Sequence, residues 1–239
     1  MTNRFYIPNL KQKDSKIRIT DKNTIYQITK VLRLKIGETF NVFSQTDELE
    51  LKIDSMQKNF IQTTVINKKS KETDTNKNIT LYQALLKKDN FEWVLQKCTE
   101  LGVNKIVPIV TDNTIIREIS KNKMARYEKI VVEATEQCGG HKPPTISEAI
   151  KFDNIIKEIS QQPGIKIIPW EGEKTTKIYN IYKSDENEYH IIIGPEGGFS
   201  TSEIKMATEN NITPVSLGTR ILRAETAAIA TVCLILLNE

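Results

Sequence analysis

Cysteine and histidine are scarce in this chain, with three cysteines and two histidines among 239 residues. Cys98, Cys138 and Cys233 are scattered, and no two of them form a Cys-x-x-Cys pair. Cysteines in such a pattern are typical of reduced thiols in a cytosol rather than of a disulfide framework. With only His141 and His190 beside them, they match no familiar zinc-site spacing. The sequence therefore predicts no metal centre and a cytoplasmic location.

Long hydrophobic runs are also absent. The longest candidate covers residues 227–237 and contains Thr231, whereas a transmembrane helix needs about 20 apolar residues. The first eight residues lack the apolar core of a signal peptide. A composition of 38% hydrophobic and 27% charged residues excludes an intrinsically disordered chain. We therefore expect a folded protein that is neither secreted nor inserted into a membrane.

Positive charge is unevenly distributed along the chain. Residues 1–78 contain 15 Lys/Arg and 9 Asp/Glu, a net charge of +6, whereas residues 79–239 contain 19 and 21, a net charge of −2. Clustered lysine and arginine displace counterions from phosphates, so the first part is a candidate polyanion-binding domain. A solvated, lysine-rich surface is the alternative explanation of the same charge.

The first part of the chain consists mainly of short runs with β-type patterns. They lie at residues 5–7, 17–19, 40–43, 49–53 and 60–66. Asp21 is the predicted N-cap of one short helix over 21–32. Strands of this kind close naturally into a small barrel. An apolar-free stretch begins at Asn67, so we predict a first domain over 1–72, a linker over 73–78 and a second domain over 79–239.

In the second part, strand and helix patterns alternate. Predicted strands lie at 79–84, 105–110, 165–168, 189–193 and 214–217, and predicted helices lie at 91–101, at 124–137 and from about 225. Buried strands that alternate with helices predict an α/β domain with a largely parallel sheet. The last helix is apolar nearly all round, which predicts that a partner chain covers part of it. A helix buried entirely within its own chain is the alternative.

A glycine-rich loop follows the strand predicted at 189–193. Its sequence is Gly194-Pro-Glu-Gly-Gly-Phe199, and Ser200 and Glu203 then have the spacing of a capping box. Glycine allows the backbone to approach a ligand closely. The loop has neither the G-x-G-x-x-G spacing of a dinucleotide site nor the ending of a P-loop. A tight strand-to-helix turn without a ligand is the alternative.

A second polar loop precedes the last helix. It contains Gly218 and two of the seven arginines, Arg220 and Arg223, followed by Glu225. Crowding of ionisable groups is typical of a functional site. An ion-paired helix start is the alternative.

Together these loops resemble the signature of SPOUT-class methyltransferases. The second loop matches as Leu217-Gly-x-Arg-Ile-Leu-Arg-x-Glu-Thr-Ala227. More narrowly, the chain resembles the RsmE family, which methylates uracil N3 in 16S ribosomal RNA. The resemblance covers nearly the whole chain, including Arg4-Phe5, Val31-Leu-Arg-Leu-Lys-x-Gly37, Trp93-x-x-Gln-Lys-x-Thr-Glu-Leu-Gly102 and Glu133-Ala-x-Glu-Gln137.

The resemblance implies a fold and a cofactor. The fold is a small PUA-like β-barrel before an α/β domain with a SPOUT-type parallel sheet and a deep trefoil knot, assembled as a homodimer. The cofactor is S-adenosylmethionine, held in the knot loops. The implied cofactor-binding residues are Trp170, Glu171, Ile193, Gly194, Gly198, Leu217, Gly218, Ile221, Leu222, Arg223, Thr226 and Ala227.

The resemblance also implies 16S ribosomal RNA, within the small ribosomal subunit, as the partner. Arg223, Arg220 and Arg4, the last from the first domain or from a partner chain, are the candidates to stabilise a uracil anion. Glu225 or a water molecule is the candidate proton acceptor. The implied RNA-binding residues are Arg4, Arg33, Lys35 and Lys142, the last because Gly140 and His141 replace an arginine that is usual in the family. The alternatives are a SPOUT methyltransferase acting on transfer RNA or a ribose 2′-hydroxyl, and a non-catalytic RNA-binding module.

Overall fold

The computed structural model describes residues 3–8, 10, 15–45, 47–69, 76–181 and 185–237. The chain forms two compact units, one of residues 1–73 with 136–142 and one of residues 74–135 with 143–239. Segment 136–142, which the predicted division places in the second domain, thus groups with the first unit. Half of the predicted linker, residues 73–75, lies outside the described residues.

Unit 1 contains a five-stranded sheet in the order β1-β3-β4-β5-β2. The strands are β1 (Arg4–Tyr6), β2 (Lys16–Ile19), β3 (Thr39–Phe43), β4 (Glu48–Met56) and β5 (Ile61–Lys69). Strands β1 and β3 are parallel, and the other pairs are antiparallel. Two register shifts interrupt the long β4–β5 ladder, and such bulges increase the twist and bend of a sheet. The sheet is curled into a half-barrel around one apolar core, which is consistent with the predicted small barrel.

The helix predicted in unit 1 consists of an α-helical segment followed by a π-helical segment. Asp21 caps α1 (Lys22–Tyr26), and its Oδ2 atom accepts a hydrogen bond of 2.7 Å from the amide of Thr24. The chain then continues as a π-helix over Gln27–Val31. Ile28 faces the core, whereas Tyr26 and Val31 are exposed. Short π-helical segments are frequent at functional sites.

Unit 2 contains a seven-stranded sheet in the order β12-β10-β11-β6-β7-β8, with β9 also paired to β7, and every pair is parallel. Its strands are β6 (Asn78–Ala84), β7 (Lys105–Val110), β8 (Thr145–Ile146), β9 (Ile150–Lys151), β10 (Ile165–Pro169), β11 (Glu188–Ile193) and β12 (Thr213–Val215). Its helices are α2 (Asn90–Glu100), α3 (Lys121–Cys138, whose end groups with unit 1), α4 (Phe152–Ser160), α5 (Thr201–Glu209) and α6 (Ala224–Leu236). The predicted α/β fold with a parallel sheet is confirmed.

Both faces of this sheet are buried, as parallel sheets require. Along β11, Ile191 and Ile193 belong to the core on one face, which includes α2 and α6, while Ile192 belongs to the core on the other, which includes α4 and α5. Helix α4 is not among the predicted helices, although its buried side chains Phe152, Ile155, Ile156 and Ile159 have helical spacing. In the described ranges, no helix is long and apolar enough to cross a membrane.

Helix α6 is covered by its own chain on one side. Ala228, Val232 and Ile235 are buried in the core of unit 2. Leu234 and Leu237 are 40% and 78% exposed. The apolar surface of this helix is thus wider than its own sheet and α2 can bury.

Candidate cofactor site

The candidate site lies at the carboxyl ends of three neighbouring strands of unit 2. Strand β10 is paired with β11 on one side and with β12 on the other. The segments that leave these strands, 170–177, 194–200 and 216–223, therefore lie side by side. In open parallel sheets, ligands bind in the crevice outside the carboxyl ends of the strands.

The three segments enclose a cleft made of two adjoining cavities, the larger of about 540 Å³. Both cavities are lined by Pro169, Glu171, Ile221, Leu222 and Ala227. The predicted cofactor-binding residues other than Thr226 all line this cleft: Trp170, Glu171, Ile193, Gly194, Gly198, Leu217, Gly218, Ile221, Leu222, Arg223 and Ala227. Thr226 is exposed on the first turn of α6 and lines neither cavity.

The glycine-rich loop forms one wall of the cleft and then starts α5. The capping box is present, because Ser200 and Glu203 each accept a hydrogen bond from the other's backbone amide. Gly198 has φ +67°, and a Cβ atom there would lie 2.8 Å from Glu171 Oε1 across the cleft. The loop is therefore a tight strand-to-helix turn, and it also brings the backbone of Gly198 close to Glu171 across the cleft.

The loop after β12 has open space beside its glycine. Gly218 has φ +126°, a conformation that L side chains rarely adopt, and a Cβ atom there would meet nothing within 4 Å. The hydroxyl of Ser216 lies 3.3 Å from the amide and 3.3 Å from the carbonyl oxygen of Gly218. The glycine is thus required by the backbone conformation and leaves space beside it for a ligand.

The loop after β10 is stabilised by one carboxylate. Glu173 Oε1 accepts hydrogen bonds from the hydroxyl and amide of Thr175 and from the amide of Thr176, at 2.6–2.8 Å. These bonds, led by that from the Thr175 hydroxyl, lower the pKa of Glu173 to about 2. Glu173 therefore stays charged and stabilises the loop that bears Trp170 and Glu171.

The predicted catalytic residues lie immediately before α6 and in its first turn. Arg223 is the N-cap of the helix. Arg223 and Arg220 are exposed, and neither forms an ion pair with a described carboxylate. Glu225 Oε2 is buried and has no hydrogen-bond partner among the described residues. The described part of the chain therefore does not form an ion-paired helix start here.

Arg4, a predicted RNA contact, is engaged inside unit 1. Its Nη2 atom lies 2.8 Å from Glu48 Oε2, its guanidinium lies 4.0 Å from the centre of the Phe43 ring, and its Nη1 atom donates to the carbonyl of Gly140. The side chain is only 11% exposed. Its geometry is that of a residue that holds unit 1 together, and its contact with RNA stays a prediction.

The other predicted RNA contacts are exposed, and sequence reasoning missed the apolar side chains beside two of them. Arg33, Lys35 and Lys142 are on the surface of unit 1. Around the first two, a strip of unit 1 presents exposed apolar and basic side chains together: Tyr26, Lys30, Val31, Leu32, Arg33, Lys35 and Ile36. We call these seven residues the basic–apolar strip. The strip could have been predicted from its apolar residues, because a helix this short cannot bury all of them.

Comparison with known proteins tests the family resemblance. The sequence matches the RNA methyltransferase domain family over residues 73–236. The ribosomal RNA small subunit methyltransferase E of Rickettsia conorii is 33% identical over 234 residues, which cover 96% of this chain and 93% of that protein.

Solved structures are similar over almost the full length. The crystal structure of ribosomal RNA small subunit methyltransferase E from Neisseria gonorrhoeae, bound to S-adenosyl methionine, has a TM-score of 0.88 and 27% identity, and covers 98% of this chain and 96% of that chain. A methyltransferase of Legionella pneumophila, in complex with the same cofactor, has a TM-score of 0.88 and 29% identity, with 98% and 97% coverage. The resemblance is confirmed, and the chain belongs to the ribosomal RNA small subunit methyltransferase E family, a family of methyltransferase enzymes.

Proposed function

We propose that the protein transfers a methyl group from S-adenosylmethionine to N3 of one uridine in 16S ribosomal RNA. The observation that carries the proposal is the cleft of unit 2. Glycine-containing loops line it, together with two arginines that pair with no described carboxylate and a carboxylate whose buried oxygen has no described hydrogen-bond partner. The named relatives and the two cofactor-bound neighbours support the same activity.

The residues of the cleft fit this cofactor chemically. Leu217, Leu222 and Ala227 offer apolar surface for a flat adenine ring, and Gly218 leaves open space beside its Cα atom. Glu171 and Glu225 provide negative charge for a ligand with ammonium and sulfonium groups. When bound, the cofactor supplies a methyl group that is already activated by the sulfonium charge.

The chain's own residues would act on the uracil. N3 can attack only after its proton is lost, and the resulting negative charge spreads onto O2 and O4 of the ring. Arg223 and Arg220 have no described carboxylate to neutralise them, so they are available to stabilise that charge. Glu225 is available as the proton acceptor, because its buried Oε2 atom has no described donor. Alignment of the two reactants in one cleft supplies the remainder of the rate enhancement.

We infer that the end of unit 2 is knotted. Trp170 N donates to Val215 O at 3.0 Å, and Ser216 N donates to Thr176 O at 2.8 Å. Both ends of the loop 170–177 are therefore hydrogen-bonded to the same short segment, 215–216. Segment 215–216 continues into α6. A knot forms when the chain passes through an earlier loop, and a segment bonded to both ends of the loop 170–177 is in position to do so.

We also infer that the protein is a homodimer through α2 and α6. These helices pack against each other. Trp93 on α2 is 52% exposed, and Leu234 on α6 and Leu237 at its end are also exposed. Exposed apolar side chains on neighbouring helices are typical of an interface. A second copy of the chain is the partner that would bury them.

For the predicted first domain, residues 1–72, which lies within unit 1, we propose a PUA-like domain that binds the RNA substrate. The support is its net charge of +6 over residues 1–78 and the exposed basic–apolar strip. Lysine and arginine can contact phosphates, and exposed aromatic and aliphatic side chains can stack on unpaired bases. Such a substrate, within the small ribosomal subunit, would place the enzyme in the cytoplasm.

Product analysis tests the proposed function. The purified protein is incubated with S-adenosylmethionine and small ribosomal subunits lacking the modification, and the nucleosides are analysed by mass spectrometry. We expect 3-methyluridine at one position of 16S ribosomal RNA. A ribose-methylated product, or methylation of transfer RNA only, would establish one of the alternative substrates. Calorimetry without saturable binding of S-adenosylmethionine would instead favour a non-catalytic RNA-binding module.

Variants assign the roles in the cleft. Arg223→Ala should lower turnover about 100-fold, the usual effect of removing one charge-stabilising group. Arg126→Ala is the control, because Arg126 is exposed on α3 and paired with Glu92 outside the cleft. Glu225→Gln should lower turnover by a similar factor if the carboxylate accepts the proton. Unchanged turnover of this variant would assign the proton to water.

A further inference from the structure

A second segment of unit 2 holds the glycine-rich loop from outside the cleft. It is the turn 111–114, which follows β7. The side-chain amide of Asn113 donates to the carbonyl oxygens of both Gly197 and Gly198, at 3.1 Å each. Both glycines line the larger cavity.

The same turn is bonded to the start of α5. Glu203 accepts from the amide of Asp112 at 2.9 Å through Oε1 and from the amide of Ser200 at 2.8 Å through Oε2. The hydroxyl of Ser200 donates to Asp112 Oδ2 at 2.7 Å. A capping box uses only one oxygen of its glutamate. Glu203 is 3% exposed. Its other oxygen, Oε1, connects the start of α5 to the turn.

The turn is itself rigid enough to position the loop. Thr111 N donates to Thr114 Oγ1 at 2.9 Å, and Thr114 N donates to Thr111 O at 3.2 Å. Both threonines are buried, at 3% and 2% exposure. The two buried threonines and the hydrogen bonds between them give the exposed Asn113 a defined place against the loop.

Asn113 and the cleft lie on different sides of the two glycines. A Cβ atom on Gly197 would lie 3.1 Å from Asn113 Cβ, whereas a Cβ atom on Gly198 would lie 2.8 Å from Glu171 Oε1, a residue that lines the cleft. The carbonyl groups of the glycines thus point to Asn113, while Gly198 at φ +67° presents its Cα to the cleft.

From this geometry we propose that Asn113 is a positioning residue for the cofactor. Its two hydrogen bonds hold the backbone of Gly197 and Gly198 in the conformation that leaves the cleft open beside Glu171. Asn113 lines neither cavity of the cleft, so it acts through the loop. The inference rests on the proposed use of S-adenosylmethionine in this cleft.

Two substitutions separate hydrogen bonding from packing. Asn113→Ala removes both donors, and we expect the dissociation constant for S-adenosylmethionine to rise about five- to tenfold, as for one or two net hydrogen bonds. Asn113→Asp keeps the shape but places an ionised carboxylate against two carbonyl oxygens, so the rise should be at least as large. Turnover at saturating cofactor should stay within about twofold of the wild type in both variants, because the reacting groups are untouched.

The matched control is Asn210→Ala. The Asn210 side chain also donates to a backbone carbonyl, that of Met206, but at the other end of α5. Affinity is measured by calorimetry and folding by thermal unfolding. Wild-type affinity in Asn113→Asp, or an equal loss in Asn113→Ala and Asn210→Ala, would overturn the inference. A wild-type protein that does not bind S-adenosylmethionine would instead overturn the proposed function.

Discussion

Arg4 and Glu48 form a nearly buried ion pair in unit 1, with 2.8 Å between Nη2 and Oε2 and a second contact of 3.3 Å between Nε and Oε1. Burial alone would raise the pKa of Glu48, but the hydrogen bond and charge of Arg4, with Lys69 and His141, hold it below its ordinary value. Arg4 also donates to Gly140. The pair therefore joins two strands to segment 136–142.

We predict that Glu48→Gln destabilises unit 1 by about 3 kcal/mol, because it leaves the Arg4 charge buried without its partner. A lowered carboxylate pKa contributes stability above the ordinary glutamate value of about 4.3, and this contribution is lost as the pH falls through the folded-state pKa. The stability of the variant should therefore fall less steeply than that of the wild type as the pH is lowered. Hydrogen exchange of peptides from β3 and β4 between acidic and neutral pH measures both effects.

The control for this experiment is Glu50→Gln on the same strand, for which the described residues provide no ion pair. It should retain both the stability of the wild type and its dependence on pH. Equal exchange rates in the two variants would contradict the role of the pair.

We predict that Gly218→Val strongly weakens binding of S-adenosylmethionine while the protein stays folded. The substitution strains the backbone at φ +126° and fills the open space beside the cleft. Gly37→Val is the control, because Gly37 has φ +93° and equally open surroundings but lies in unit 1. Calorimetry should show a loss of affinity for the first variant only. Gly198→Val should have the same effect, since its side chain would meet Glu171.

We predict that unit 1 binds RNA through the basic–apolar strip. Arg33→Ala should reduce the salt dependence of the binding constant by about one phosphate contact. Tyr26→Ala should weaken binding by about 1–3 kcal/mol without changing the salt dependence, because stacking involves no counterion release. Neither should alter cofactor affinity. Filter binding at several salt concentrations is the measurement, with Lys205→Ala in unit 2 as the charge-matched control, and a salt-independent dissociation constant would refute the prediction.

We predict that Leu234→Glu separates the dimer and abolishes methyl transfer. Burying an unpaired carboxylate in an apolar interface costs several kcal/mol. Leu234 is chosen because it is exposed, whereas another apolar residue of α6, Ile229, packs partly against the core of its own chain. Light scattering across a dilution series, with an activity assay, is the test, and Ile66→Glu on β5 of unit 1 is the control. A wild-type protein that is monomeric and active at micromolar concentration would disprove the dimer.

The sequence by itself determined the order of the elements, the parallel sheet of unit 2 and the family. The continuous apolar run along β11 and the helical spacing along α2 are local patterns, and they reflect how much of each element is buried. The helix cap at Asp21 and the capping box of Ser200 and Glu203 were also predictable, because they depend on residues three positions apart. Helix α4 had the same kind of signal and could have been predicted.

Only the tertiary structure decided which charged and polar groups find partners. Arg4 is 44 residues from Glu48 and 136 from Gly140, and Asn113 is 84 residues from Gly197. No periodicity connects positions so far apart, because their contacts arise from the pairing and order of strands. The same physics left Arg223 without a described partner and buried Arg4 beside Glu48, although both are scarce arginines near a terminus of a lysine-rich chain. Residue type and local pattern specify what a side chain is able to do, and the packing of distant segments specifies whether it is free to do so.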